Sequence, residues 1–459
     1  MSIDRTRLPL VRDGGALHLP RARRHALANG LPGWTVEHDN VPLGSMVRVV
    51  RAGASDDPVG SEGLAALAAD ALDDGAGARD SFALHDAIAG LGASLEIECG
   101  ADATAIDITT LASTLPEAAG LLADVACRPR FDTSEVERVR DLRRQRIAQM
   151  KDVPSAIAER VFVESLFDGH PYGHLSMGRD DSLSTIGVDD VRAFHASRYG
   201  VGRSLLIVVG EASHDDMLAA VTPAFAAMLA APERLVHGRV ERLPASQLAG
   251  TLLLIDRPGA PQSEIRVGRL GPSRSTPDYF AAIVMNAVLG GQFVSRINLN
   301  LREAHGYTYG ANSQFVFRRA PGFFVVATGV RTDVTAPALA EIVKELGKIR
   351  DGVTAEELSL ARDSEVRSLP SGFETSSSVT TSSTNLFLFG LPLDYYVNAQ
   401  ARYSALTAEQ VNAAARKYIA PEKTLFIVVG DRAKIGAELE KLNLGPIEVW
   451  NADGTKAGN

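Results

Sequence analysis

The chain has 459 residues, a net charge of −9 and a 45% hydrophobic content with 22% charged residues, which bounds a globular protein of at least two domains. The acidic balance excludes a nucleic-acid footprint, since phosphate binding requires a basic surface. Two cysteines, Cys99 and Cys127, sit in apolar neighbourhoods and supply no disulfide framework.

Met1 to Arg24 is charged and broken by prolines, without an apolar segment of signal-peptide length. No apolar run approaches the ~20 residues that span a bilayer. The expectation is a soluble protein with no membrane contact, cytoplasmic if Met1 is the native start and periplasmic if a leader has been removed. Met46 to Arg51 and Glu96 to Thr110 alternate as strands do, while Glu62 to Leu72, Pro116 to Ala126 and Glu135 to Met150 have helical spacing. Pro116 suits a first helical position, and Ser134 with Glu137 has capping-box spacing. The basic cluster Arg138 to Arg146 reads as a solvated helix face. His170 and His174 stand four apart but flank Pro171-Tyr172-Gly173, a turn, so they read as structural. His85 and His195 lie in helical stretches as half-buried surface residues. Ser376 to Thr384 is a polar run with no Gly-x-Ser-x-Gly around any serine.

The order of elements occurs twice. A helix through Tyr199 and the strand Ser204 to Gly210 parallel a helix through Tyr418 and the strand Thr424 to Gly430, about 220 residues on. Ile106 to Ala126 followed by Thr133 likewise parallels Phe324 to Ile349 followed by Thr354. The reading is an α+β protein of two homologous α/β-sandwich lobes from internal duplication. Each has a mostly antiparallel sheet with helices on one face. Residues 1–232 form an N-terminal lobe, 233–249 a linker with weak periodicity, and 250–459 a C-terminal lobe.

From about His25 to Arg432 the chain resembles the pitrilysin/insulinase-type zinc peptidases, especially the branch with mitochondrial processing peptidase and bacterial two-subunit relatives. The matching landmarks are Leu27-Ala-Asn-Gly-Leu31, Arg51-Ala-Gly-Ala-Ser-Asp-Asp-Pro58, Gly63-Leu-Ala65, Gly92-Ala-Ser94, His170-Pro-Tyr-Gly173, Leu289-Gly-Gly291, Ser295-Arg296 and Leu301-Arg-Glu303. Active members carry His-x-x-Glu-His on the helix after Gly-Leu-Ala, two zinc ligands and a general base. The matching positions here are Ala66, Ala69 and Asp70. The neighbourhood of the family's further glutamate ligand holds Arg143, Arg144, Gln145 and Arg146, and a guanidinium there repels a divalent cation.

The resemblance implies a zinc-less subunit of a heterodimeric zinc endopeptidase acting on peptides. A homologous partner supplies the zinc, and this chain holds no metal. It also implies that Arg302 and Tyr309, seven residues apart across an Arg-Glu-x-x-Gly turn, orient the substrate carbonyl and stabilise its oxyanion. Arg302 is expected near the end of a helix begun around Val294, with Gly306 as its C-cap. Tyr307 and Tyr309 are expected on one face of the strand that follows, Tyr307 being the rival for the hydroxyl role. Gly290-Gly291 is expected as a flexible, close-packed turn. The alternative is a purely structural subunit resembling the core proteins of a respiratory complex.

Overall fold

The computed structural model describes residues 19–39, 41–226 and 248–456. The first sheet contains β1 (Ala22–Ala26), β2 (Pro32–Glu37), β3 (Leu43–Val50), β4 (Ser94–Cys99), β5 (Thr104–Leu111) and β6 (Ser204–Gly210), in the order β1-β2-β6-β3-β5-β4. The second contains β7 (Leu252–Asp256), β8 (Gln262–Leu270), β9 (Ala311–Val316), β10 (Phe323–Arg331), β11 (Leu425–Gly430) and β12 (Ile447–Trp450), in the order β12-β7-β11-β8-β10-β9.

Five strands of one sheet superpose in order and direction on five of the other. β2 runs parallel to β6 as β7 does to β11, and the remaining pairs among these strands are antiparallel. Only the outermost strand differs. β1 joins antiparallel from the N-terminal side, whereas β12 joins parallel from the C-terminal side. The two sheets therefore bear out the expected α+β architecture and the duplication.

Their central strands explain the packing. β6 and β11 are buried along their whole length, as a continuous apolar strand must be when both faces are covered. One face takes helices of the same half. The other takes a helix from the opposite half, so the expectation of helices on a single face is corrected. Pro154–Phe167 lays Ile157, Phe162 and Phe167 on Leu253, Leu425 and Phe323 of the second sheet. Ser376–Phe389 packs in exchange on β3 and β6. The polar run Ser376 to Thr384 is thus a helix whose small side chains Ser376, Thr380 and Ser383 are buried against the other half.

A latch joins the two halves where their hairpin turns meet. The Tyr172 hydroxyl donates to Asp102 and accepts from the Ala320 N–H at 3.3 Å. Asp102 also accepts from the Arg319 N–H at 3.0 Å, and the Arg318 guanidinium lies 4.5 Å from the Tyr172 ring.

Three local expectations are corrected. The Thr133–Met150 helix starts after Asp132, not at a Ser134–Glu137 capping box, because Phe131, buried at φ +46°, fixes where the chain enters. The strand after Gly306 begins only at Ala311, so Tyr307 and Tyr309 do not share a strand face. By length and composition Tyr279–Ala304 does match a membrane-crossing helix, yet 61% of its most apolar window is buried within the protein. Of the expected linker, residues 233–247 lie outside the described residues, and 248–249 form part of a turn.

Candidate functional site

The helix Leu64–Asp70 carries the positions where the resemblance places a metal motif. Ala66 and Ala69 are buried and offer no ligand atoms. At the start of this helix Asp57 accepts from the Gly63 and Ala65 N–H groups, both at 2.7 Å. A carboxylate there satisfies otherwise orphaned donors and complements the positive end of the helix. His174 Nε2 stands 3.1 Å from the same carboxylate, and both side chains are buried. The segments around Asp57 and His174 therefore meet as a structural clamp. His170, in the same turn, accepts from the Tyr172 N–H at 3.0 Å through Nδ1.

At the other end of the helix, Arg143 donates to the Asp70 carboxylate and to the Ser176 carbonyl at 2.8 Å. Its side chain is only 11% exposed. A fixed guanidinium thus stands against the one carboxylate among the positions where the resemblance places a metal motif. Among the described residues no three His, Cys, Asp or Glu side chains assemble into a group able to hold a metal ion, and these residues do not fit a catalytic zinc.

The neighbouring arginines lie on the largely exposed face expected of this helix, Arg138 and Arg146 being exposed, yet three of them are paired. Arg138 pairs with Asp74 and Glu135, Arg140 donates to the Ile186 carbonyl at 3.1 Å, and Arg144 meets Asp180 at 2.8 Å. They stitch the Thr133–Met150 helix to the first half. Burial pushes the Cys99 thiol up to about 12 and raises Cys127 as well, so neither is a reactive thiolate.

The second half presents an open cleft of about 570 Å³. Its floor is the sheet, where the small residues Ala327 and Gly329 of β10 lie beside Arg266 and Glu264 of β8. Its wall is a helical run that widens twice into π-helix, at Ala287–Gly291 and Leu299–Ala304, a distortion frequent at functional sites. The first widening depends on glycine. A Cβ on Gly290 would stand 2.5 Å from Ser313 Oγ, and one on Gly291 would stand 2.6 Å from Asn286 Nδ2. The close-packed pair expected there is therefore real, but it belongs to a helix and not to a flexible turn.

Arg302 lies in the second π-helical segment. Its guanidinium sits 4.6 Å from the centre of the Phe293 ring, and Nε is 3.4 Å from Glu303. Gly306, at φ +63°, ends the run, with its N–H bonded to the Arg302 carbonyl at 3.1 Å. Tyr307 then packs half-buried against the core and stacks on His305 at 4.9 Å. Thr308 anchors the next loop by donating to the Gly329 carbonyl at 2.8 Å. Tyr309, 94% exposed, projects from that loop.

Arg302 and Tyr309 thus line one cleft, and Tyr307 does not. A cation and a phenol hydroxyl in this setting can donate to an extended peptide's carbonyl. Asp57, His174 and Arg143 emerge as pivotal residues of the first half only in three dimensions. Their signal in the sequence was membership of the Arg51–Pro58 landmark for Asp57, a place directly after the His170–Gly173 landmark for His174, and membership of the arginine run for Arg143.

Residues 36–179 match the model of insulinase (peptidase family M16), and residues 185–365 match that of the peptidase M16 inactive domain. An uncharacterized zinc protease of Mycobacterium leprae is 28% identical over 65% of this chain and 67% of its own. A probable mitochondrial-processing peptidase subunit beta of Schizosaccharomyces pombe is 24% identical over 61% of each. Among solved structures, a peptidase M16 inactive domain from Pseudomonas fluorescens superposes with a TM-score of 0.82 at 25% identity, covering 89% of this chain and 98% of that one. A chain of complex III2 from Candida albicans, solved with Inz-5 bound, shares the fold with a TM-score of 0.75 at 15% identity, covering 92% of this chain and 99% of that one. Two family models in sequence, and a pair of sheets that repeat each other, lead to one assignment: the chain belongs to peptidase family M16 and carries its inactive-type domain.

Proposed function

We propose that the chain is the zinc-less subunit of a two-chain zinc endopeptidase, in which a homologous partner holds the metal. In that assembly Arg302 and Tyr309 bind the peptide and steady the charge that develops on its carbonyl oxygen. One observation carries the reading, an asymmetry between the halves. The first has Arg143 against Asp70 where a metal motif would lie, while the second presents Arg302 and Tyr309 in an accessible cleft. The relatedness to a processing-peptidase subunit supports a two-chain assembly.

The donors would act as preformed dipoles, each supplying ~10²–10³ in rate. The test is co-purification with a His-x-x-Glu-His partner, followed by peptide cleavage with Arg302→Ala and Tyr309→Phe. Each substitution is expected to lower turnover by roughly a hundredfold while leaving the complex intact. Full activity in both variants would remove the assigned role. The fold shared with a chain of complex III2 favours a second reading, a purely structural subunit. Recovery of a stable assembly without any metallopeptidase chain would establish that one.

A further inference from the structure

Asn298 lies one turn before Arg302 and is 4% exposed. Both ends of its amide bond to backbone. Nδ2 donates to the Phe293 carbonyl at 2.7 Å, and Oδ1 accepts from the Ala311 N–H at 3.1 Å. Each partner leads directly to one member of the pair. Phe293 places its ring beneath the Arg302 guanidinium. Ala311 opens β9 two residues after Tyr309.

We propose that Asn298 is the positioning residue that holds Arg302 and Tyr309 in one fixed relation, with the Phe293 ring as the platform on which Arg302 rests. This rests on the function proposed for the pair.

The need for such a device follows from the side chains themselves. Arg302 is long and partly exposed, and its ion partner is the adjacent Glu303, which moves with it. Phe293 is 61% exposed, so packing alone does not fix its ring. What fixes it is the backbone at its carbonyl, and the Asn298 amide holds that carbonyl. Tyr309 is tied at one side by Thr308 and at the other through Ala311, again by Asn298. Only a carboxamide serves both ends, because one must donate and the other accept. An aspartate would still accept from Ala311 but would set a carboxylate oxygen against the Phe293 carbonyl. A single buried amide thereby couples two loops that approach the cleft from opposite ends of the Arg296–Ala304 helical run.

The test uses the complex with the zinc-bearing partner and an internally quenched peptide of mixed sequence. Asn298→Asp is expected to lower kcat by about tenfold or more, a fraction of the loss from removing a donor outright. Phe293→Leu, at an exposed position that leaves folding intact, is expected to lower it similarly, and Phe293→Tyr to restore it by keeping the ring. On an Arg302→Ala background neither Asn298→Asp nor Phe293→Leu is expected to reduce the rate further, because the coupled term is already gone. Unchanged rates, or independent losses that multiply with Arg302→Ala, would overturn the proposal. If Arg302→Ala itself leaves cleavage unchanged, the function proposed for the pair fails instead. Amide exchange on the full chain alone then decides the positioning role. Asn298→Asp should speed exchange across Gln292 to Val294 while Ala311 stays protected, and equal protection in both chains would overturn it.

Discussion

Arg143 sets a fixed positive charge beside Asp70, at the end of the helix where the resemblance places a metal motif. Restoring the motif alone therefore meets a resident guanidinium. The triple substitution Ala66→His, Ala69→Glu, Asp70→His should bind little zinc, because Arg143 loses its partner and keeps its charge in a nearly buried site. Adding Arg143→Glu should raise zinc content toward one ion per chain, as read by elemental analysis after dialysis. Equal zinc in the triple and quadruple variants would mean that Arg143 does not guard the site. The absence of ligands at Ala66 and Ala69 was legible from single letters. The pairing of Arg143 was not, because it spans two helices that the sequence places 73 residues apart. A still longer separation, 117 residues, hid the bond of His174 to Asp57, so that the turn read as structural without its partner.

At the scale of elements, a glycine and an aspartate each sit in close packing with consequences that can be measured. Gly290→Ala would force a methyl group into the Ser313 backbone, 2.8 Å from its N–H. The expected cost is about 1–3 kcal/mol of stability, seen as a lower Tm together with loosened exchange along β9; an unchanged Tm would mean that the π-helical wall yields freely. Asp107, on β5, faces the exchanged helix, with the Thr380 hydroxyl 3.3 Å away. Burial pushes its carboxyl up to about 6, although the hydroxyls of Thr380, Thr109 and Ser45 pull it down. A folded-state value above the unfolded one means that the native chain holds this proton more tightly. The contribution is therefore fully present below about pH 4 and lost as pH rises through about 6. Asp107→Asn should be more stable than the parent at pH 7.5 and flatten the decline of Tm between pH 4 and 6. A parallel decline in both proteins would assign the titration elsewhere. Elements whose pattern reflects local burial, such as β6 and β11, could be read directly. The hydroxyl-rich helix Ser376–Phe389 could not, since its cover is the sheet of the opposite half and its serines resemble a loop.

For the molecule as a whole, the exchange of helices decides how the two halves depend on one another. Leu253, Ile255, Phe323, Leu425 and Ile427 are covered by the Pro154–Phe167 helix, which belongs to the first half of the chain. Without it each would be exposed, at about 1.5–3 kcal/mol per side chain, a total comparable with the whole stability of a typical domain. The first sheet leans in the same way on Ser376–Phe389. Duplication thus produced two homologous lobes that share cover and do not merely lie side by side. The full chain should melt in a single calorimetric transition whose van't Hoff and calorimetric enthalpies agree. A chain ending at residue 232, which keeps every described element of the first half, should show no cooperative melt alone. Mixing it with residues 233–459 should restore one, because each piece then regains the missing helix. Two separate transitions in the full chain, or a cooperative melt of residues 1–232 alone, would show that the exchanged helices are dispensable cover and that each lobe folds on its own core.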